Sequence, residues 1–278
     1  MEEIIYGYAR VSTREQNEDR QMIAMQQFGV AQTHIFLDKQ SGKDFNRPAY
    51  RRLLNILQEG DTVIAQGSGD LAQLAPLCKA HPGQIHTYDV DLTDGQALDL
   101  FLKDVQANFP TPTHLVHLPA LRMINTKFKK FDEERFELDL SVQVRSAIRI
   151  CKTFLPAMAK AKRGRVLFML TSYQIGVPPK NATAYVMVKS MLGGFARSLA
   201  IEYAQYGITV NCVAPSMMET KFLADTSDLI VQAAAEANPM GRNAQVSDVV
   251  PAMAFLLSDE AGFITGAVLP ITGGSVIP

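Results

Sequence analysis

The sequence predicts an α/β protein built on a doubly wound parallel sheet, with helices on both faces. Three observations carry the prediction. From residue 62 onward short apolar runs alternate with amphipathic stretches, at 62–66, 70–80, 84–90, 95–107, 113–118, 133–159 and 165–170. Alternating strand and helix patterns give parallel strands joined by crossover helices. The run Arg165-Val-Leu-Phe-Met-Leu170 reads as a buried strand. After Tyr185, Val188, Leu192, Phe195 and Leu199 recur at helical spacing, and Gly207 supplies a stop.

The first sixty residues follow the same grammar. Residues 4–9 read as a strand. Thr13-Arg-Glu-Gln16 has capping-box spacing and opens a helix that Gly29 ends. Residues 34–38 form a second short strand, and 48–58 a second helix with Tyr50, Leu53, Leu54 and Leu57 on one face. Gly60-Asp61 then turns into the strand at 62–66.

Composition narrows the function. With 278 residues and 47% hydrophobic content, the chain can bury one large core or two small ones. A net charge of −1 gives no global field to attract nucleic acid or anionic lipid. Cys78, Cys151 and Cys212 have no paired spacing and read as reduced thiols of a cytoplasmic protein. No leader and no membrane-length apolar run is expected, and no metal-ligand cluster is assigned.

The chemistry concentrates between Thr171 and Lys189. Tyr185 and Lys189 are four apart, one turn along one helix face. A phenol exchanges protons poorly at neutral pH, and a neighbouring ammonium is expected to lower its pKa. Ser172, just past the strand's C-terminal end, sits where parallel sheets place ligands and can hold a carbonyl or alcohol oxygen. Such a site moves a proton while a cofactor moves a hydride. An ordinary Tyr and Lys on an amphipathic helix satisfy the same spacing.

Together with Ile208-Thr-Val-Asn-Cys-Val-Ala-Pro215 and Phe263-Ile-Thr-Gly-Ala-Val-Leu-Pro-Ile-Thr-Gly-Gly274, these residues resemble the short-chain dehydrogenase/reductase family over about residues 61–278. The resemblance implies a Rossmann-like sheet. It implies that Tyr185 is the acid/base, Lys189 its electrostatic partner and ribose ligand, and Ser172 the carbonyl holder. Thr220 matches the nicotinamide-holding threonine, and Asp91 the position that touches adenine. Other positions depart from the family pattern. His117-Leu-Pro-Ala120 replaces Asn-Asn-Ala-Gly, Gln143 replaces the helix asparagine, and Pro215-Ser216 replaces Pro-Gly. Counted back from Ser172, the strand at 62–66 is the family's second. The first strand and its glycine-rich phosphate loop are therefore missing. Gly67-Ser-Gly69-Asp-Leu-Ala72, with Asp89 about twenty residues on, fits a looser dinucleotide pattern, but Asp70 puts a negative charge in that turn and a plain tight turn is the simpler reading.

A different resemblance stands in the missing unit's place. Gly7-Tyr-Ala-Arg-Val-Ser-Thr13, Asp38-Lys-Gln-Ser-Gly42, Asn46-Arg-Pro48 and Glu59-Gly-Asp-Thr-Val-Ile64 resemble the catalytic domain of resolvase/invertase serine recombinases over about residues 3–65. By that resemblance Ser12 is a nucleophile, and Arg10 and Arg47 are phosphate ligands; a helix N-cap is the plainer role for Ser12. The downstream arginine motif is replaced by Ser68-Gly-Asp-Leu-Ala-Gln-Leu74. Residues 1–60 carry eight basic and eight acidic residues, so DNA strand exchange ranks third among the readings.

The expected organisation is a recombinase-like segment, 1–60, whose strands complete the sheet of a dehydrogenase-like domain, 61–278, in one unit. Two functional readings stay open. One is an NAD(P)-dependent oxidoreductase of a carbonyl or alcohol, with Ser172, Tyr185 and Lys189 catalytic and Arg10, Ser12, Asp91, Lys189 and Thr220 holding NAD or NADP. In this reading Arg10 and Ser12 face the vacant pyrophosphate site. The other is a cofactor-free pseudoenzyme or structural partner. Either is expected to assemble as a homodimer or homotetramer through the helices at 133–159 and 184–205. Leu140, Val144, Ala147, Ile148 and Cys151 give the first of these helices a broad apolar face.

Overall fold

The computed structural model describes residues 7–10, 35–38, 63–67, 79, 85–223 and 226–277. The chain divides into two units, Met1–Ala65 with Leu74–His86, and Gln66–Gln73 with Thr87–Pro278. In the first, β1 (Gly7–Arg10) pairs in parallel with β2 (Ile35–Asp38), with Gly7 opposite Ile35 and Arg10 opposite Asp38. β3 (Val63–Gly67) and β4 (Ile85–Asp89) form a separate two-stranded ladder. The helices expected at 13–29 and 48–58, and all but Lys79 of the one at 70–80, lie outside the described residues.

The larger unit is built on a four-stranded parallel sheet in the order β5-β6-β7-β8. Its strands are β5 (His114–His117), β6 (Gly164–Met169), β7 (Ile208–Pro215) and β8 (Val268–Ile271). All eight residues of β7 are buried, as a strand covered on both faces must be. Its helices are α1 (Gly95–Asn108), α2 (Glu133–Leu140), α3 (Ser146–Ala161), α4 (Thr183–Tyr203), α5 (Asp228–Ala237) and α6 (Val246–Leu257). Neighbouring residues of β6 show that helices lie on opposite faces. Leu167 packs with Val213 and with Val249 and Leu256 of α6. Phe168, pointing the other way, meets Phe195 of α4 and His117 of β5.

The helices begin and end for local reasons. Asp94 caps α1 by accepting from the N–H groups of Gln96 and Ala97. Asp132 caps α2 through Arg135 N–H. After α4 a short 3-10 turn leads to Gly207 at φ 72°, where a Cβ would lie 2.7 Å from the Lys162 carbonyl oxygen. Glycine is the residue that fits this turn into β7.

One expectation changes. The helix predicted over 133–159 is interrupted by a π turn at Ser141–Arg145, and resumes as α3. Its apolar face is largely consumed internally: Leu140, Val144, Ala147 and Cys151 are buried, and only Ile148 of that set is exposed.

Candidate active site

The site assembles at the C-terminal end of β6. The strand stops at Met169, and Thr171 opens a 3-10 turn over Ser172–Gln174 by accepting from Tyr173 N–H. Ser172 is buried within that turn. Tyr185 lies in the first turn of α4 and Lys189 one turn later, on the face that carries Val188 and Leu192 into the core.

Lys189 is 1% exposed and donates from Nζ to the Met169 carbonyl oxygen at 2.8 Å. Burial pulls its pKa down to about 8, against the opposing pull of Asp139 and then Cys212. Its Nζ lies 5.8 Å from the centroid of the Tyr185 ring.

This corrects the expectation that Lys189 lowers the Tyr185 pKa. Burial pushes the phenol up to about 12, and Thr171, whose hydroxyl hydrogen-bonds to it, only partly opposes the rise. Desolvation is the leading cause, and Tyr173 and Asp139 add to the rise. At neutral pH Tyr185 is a protonated donor. Its ring stands between Tyr173, edge-on at 6.4 Å, and Phe222, at 6.1 Å. The Tyr185 ring is therefore part of an aromatic wall formed by the turn after β6, by α4 and by the loop after β7.

The other assigned residues divide between placed and unplaced. Thr220 accepts from Phe222 N–H and opens the 3-10 turn Lys221–Leu223. Asp91 is exposed in the loop after β4, where it accepts from the backbone N–H and hydroxyl of Thr93; those bonds lower its pKa. Arg10 ends β1 in the smaller unit, and Ser12 lies outside the described residues. Cys151 and Cys212 are free, and burial raises both thiols to about 12, so they are inert. Among the described residues no cluster is suited to a metal ion.

Among the described residues, two of the four buried polar atoms without partners lie at the carboxyl ends of strands, the others being Gln143 Oε1 and Thr209 Oγ1. Ser216 Oγ, just past β7, and His117 Nδ1, at the end of β5, are buried with no hydrogen-bond partner. Polar groups left in this way mark where a polar ligand or water belongs. The carboxyl ends of a parallel sheet are also where a dinucleotide's nicotinamide end would lie, and the residues present there fit such a group.

Four residues escaped the sequence reading. Thr171 opposes the rise of the Tyr185 pKa. Tyr173 and Phe222 flank it. Asp139 is 7% exposed and accepts from Gln143 Nε2 at 2.8 Å. Their spacing carries no signal, because contacts such as Tyr185 with Phe222, 37 residues apart, have no period.

Comparison with known proteins bears on the whole arrangement. Residues 55–275 match the family model described as enoyl-(acyl carrier protein) reductase. Residues 5–71 match the one described as resolvase, N terminal domain. The 3-oxoacyl-[acyl-carrier-protein] reductase of Escherichia coli strain K12 is 32% identical over 186 residues, 66% of this chain and 75% of that protein. Its counterpart from Pseudomonas aeruginosa is 29% identical over 223 residues, 80% of this chain and 90% of that protein. The crystal structure of a gluconate 5-dehydrogenase from Burkholderia cenocepacia J2315, in complex with NADP and tartrate, superposes with a TM-score of 0.69. It shares 16% identity and covers 77% of this chain and 85% of its own, a likeness of fold.

His117 offers a test of the described packing. It is 6% exposed and pairs through Nε2 with Ser146 Oγ at 2.9 Å. Ser146 donates onward to the Val142 carbonyl, so the imidazole donates from Nε2. Burial, aided by Lys189, lowers its pKa to about 3. A folded-state value below the unfolded one means stability is present above about pH 6.5 and is lost as pH falls toward 3. His117→Gln should remove this contribution. Between pH 6 and 4 it should lose about 1.4 kcal/mol less stability per pH unit than the parent, by denaturant unfolding. Parallel acid profiles would place His117 in water instead.

Proposed function

Because the chain belongs to the short-chain dehydrogenase/reductase family, we propose that it is an NAD(P)-dependent oxidoreductase acting on a carbonyl or its alcohol at Tyr185. One observation carries the reading: a buried Lys189 lies beneath a protonated phenol at the carboxyl end of β6, with the buried Ser172 in the adjoining turn. In reduction, Tyr185 donates its proton to the carbonyl oxygen as charge builds there. Ser172 holds that oxygen, Thr171 stabilises the phenolate left behind, and Lys189 supplies positive charge under the ring. When bound, NADH or NADPH supplies the hydride. Lys189, Thr220 and Asp91 are the described residues that would hold it. The rings of Tyr173 and Phe222 beside the phenol favour a carbonyl with apolar substituents.

A second reading, a cofactor-free pseudoenzyme, has its own support: His117-Leu-Pro-Ala120 closes β5 with a neutral imidazole where the family resemblance expects Asn-Asn-Ala-Gly. Turnover decides between the two. With either dinucleotide and a panel of alkyl and aryl ketones, the parent should show turnover that Tyr185→Phe lowers by about 100-fold or more without changing the melting temperature. Full activity in Tyr185→Phe would remove this site from the chemistry.

Assembly as a homodimer or homotetramer belongs to the same proposal. Met187, Met191 and Ile201 of α4 remain exposed, and Leu138 of α2 and Ile148 of α3 add to the uncovered apolar surface. Light scattering at micromolar concentration should give two or four times the chain mass of 30.6 kDa. A single-chain mass would contradict it.

A further inference from the structure

The turn that carries Ser172 runs out into solvent. Residues 177–181, which follow it, are exposed, Val177 at 94%. The turn holds its own shape through the Ser172 carbonyl, which accepts from the N–H groups of Ile175 and Gly176, each at 3.0 Å. These bonds fix the backbone that bears the Ser172 hydroxyl, so whatever holds Gly176 also holds Ser172. α4 braces the turn at Gln174, whose Nε2 would lie 3.0 Å from a Cβ placed on Gly193. Gly176 is braced by a distant part of the chain. A Cβ on Gly176 would lie 3.0 Å from Val276 Cγ2 and 3.1 Å from Cγ1, so the Val276 side chain is seated against the Gly176 backbone.

Val276 is held there by a built turn. β8 ends at Ile271, and Thr272, 6% exposed, follows it. Gly273 and Gly274, at φ 60° and 85°, then turn the chain. Thr272 Oγ1 donates to the Val276 carbonyl at 3.0 Å, and the Thr272 carbonyl accepts from Ser275 Oγ at 2.9 Å. The same carbonyl accepts from Asn238 Nδ2 at 2.9 Å, and Asn238 Oδ1 accepts from Met240 N–H at 2.9 Å. Asn238 is 7% exposed and follows α5, the helix downstream of Thr220 and Phe222. One buried threonine thus ties together β8, the end of α5 and, through Val276, the Ser172 turn.

We propose that Val276 is a positioning residue for Ser172: seated on Gly176 and anchored by Thr272, it keeps the turn closed and so fixes where the serine hydroxyl stands. The contact is apolar and local. Its loss opens the exit of the turn and leaves the sheet before it intact, where Leu170 N–H donates to the Val213 carbonyl at 2.8 Å. The consequence for carbonyl reduction rests on the oxidoreductase reading, whereas closure of the turn can be measured with no cofactor or substrate present.

Amide hydrogen exchange, followed residue by residue in the full chain, reads that closure. Val276→Ala removes both γ carbons and should speed exchange of the Ile175 and Gly176 amides by about tenfold. The Leu170 amide should exchange as in the parent. Val276→Ile keeps both γ carbons and should keep the parent rates. Gly176 has no left-handed φ, so an alanine there meets Val276 rather than backbone strain. Gly176→Ala should therefore also speed exchange at Ile175, and adding Val276→Ala to it should make room for the new methyl and slow that exchange again. In turnover, Val276→Ala should lower kcat by about tenfold and leave KM for the dinucleotide unchanged, because Ser172 meets the carbonyl and not the cofactor. Unchanged exchange at Ile175 in folded Val276→Ala would overturn the proposal, even if the chain proves an active reductase. Faster exchange with turnover at the parent level would overturn the positioning role. Faster exchange in a chain without turnover would uphold the hold on the turn and count against the oxidoreductase reading alone.

Discussion

The burial of one ammonium group organises the larger unit. Lys189 can be 1% exposed only if its donors and its charge are both answered. Met169, the last residue of β6, supplies a carbonyl because the strand ends there and turns away. That ending is fixed by the ladder to β7, which runs from Gly164 opposite Ile208 to Met169 opposite Val213. The apolar side of α4, from Val188 through Leu192 and Ala196, then sets the depth at which Lys189 lies. Sheet register and helix placement thus converge on one costly side chain. Natural proteins retain such a cost where function requires it.

Much of this was legible in the sequence, for identifiable reasons. The strand before Ser172 and the helix after Tyr185 carry strong periodic signals, and they appear within two residues of their expected ends. The i, i+4 spacing of Tyr185 and Lys189 holds because α4 is regular there. The electrostatic sign at Tyr185 was not legible, because it depends on burial and on whether the ammonium faces the ring or the oxygen. The π turn was not legible either. Ser141-Val-Gln-Val-Arg145 reads as ordinary helix, and only tertiary packing against α4 reveals the extra residue.

The two ends of the chain carry different kinds of information. The match over 55–275 and the geometry around Lys189 describe an oxidoreductase framework. The match over 5–71 overlaps its beginning and supplies β1 and β2, which pair in parallel. The described part of the candidate cofactor site, from Asp91 through His117 and Ser216 to Thr220, lies on the dehydrogenase-like side. The chemistry proposed here therefore depends on groups within the larger unit.

Dinucleotide binding by the purified full chain tests that dependence most directly. Calorimetric titration with NADPH and with NADH should give saturable binding of at least one, weakened by Lys189→Ala, whose ammonium would meet the ribose. Absence of binding by either dinucleotide at millimolar concentration, in protein shown to be folded, would contradict the account and leave Ser172, Tyr185 and Lys189 as a framework without its reaction.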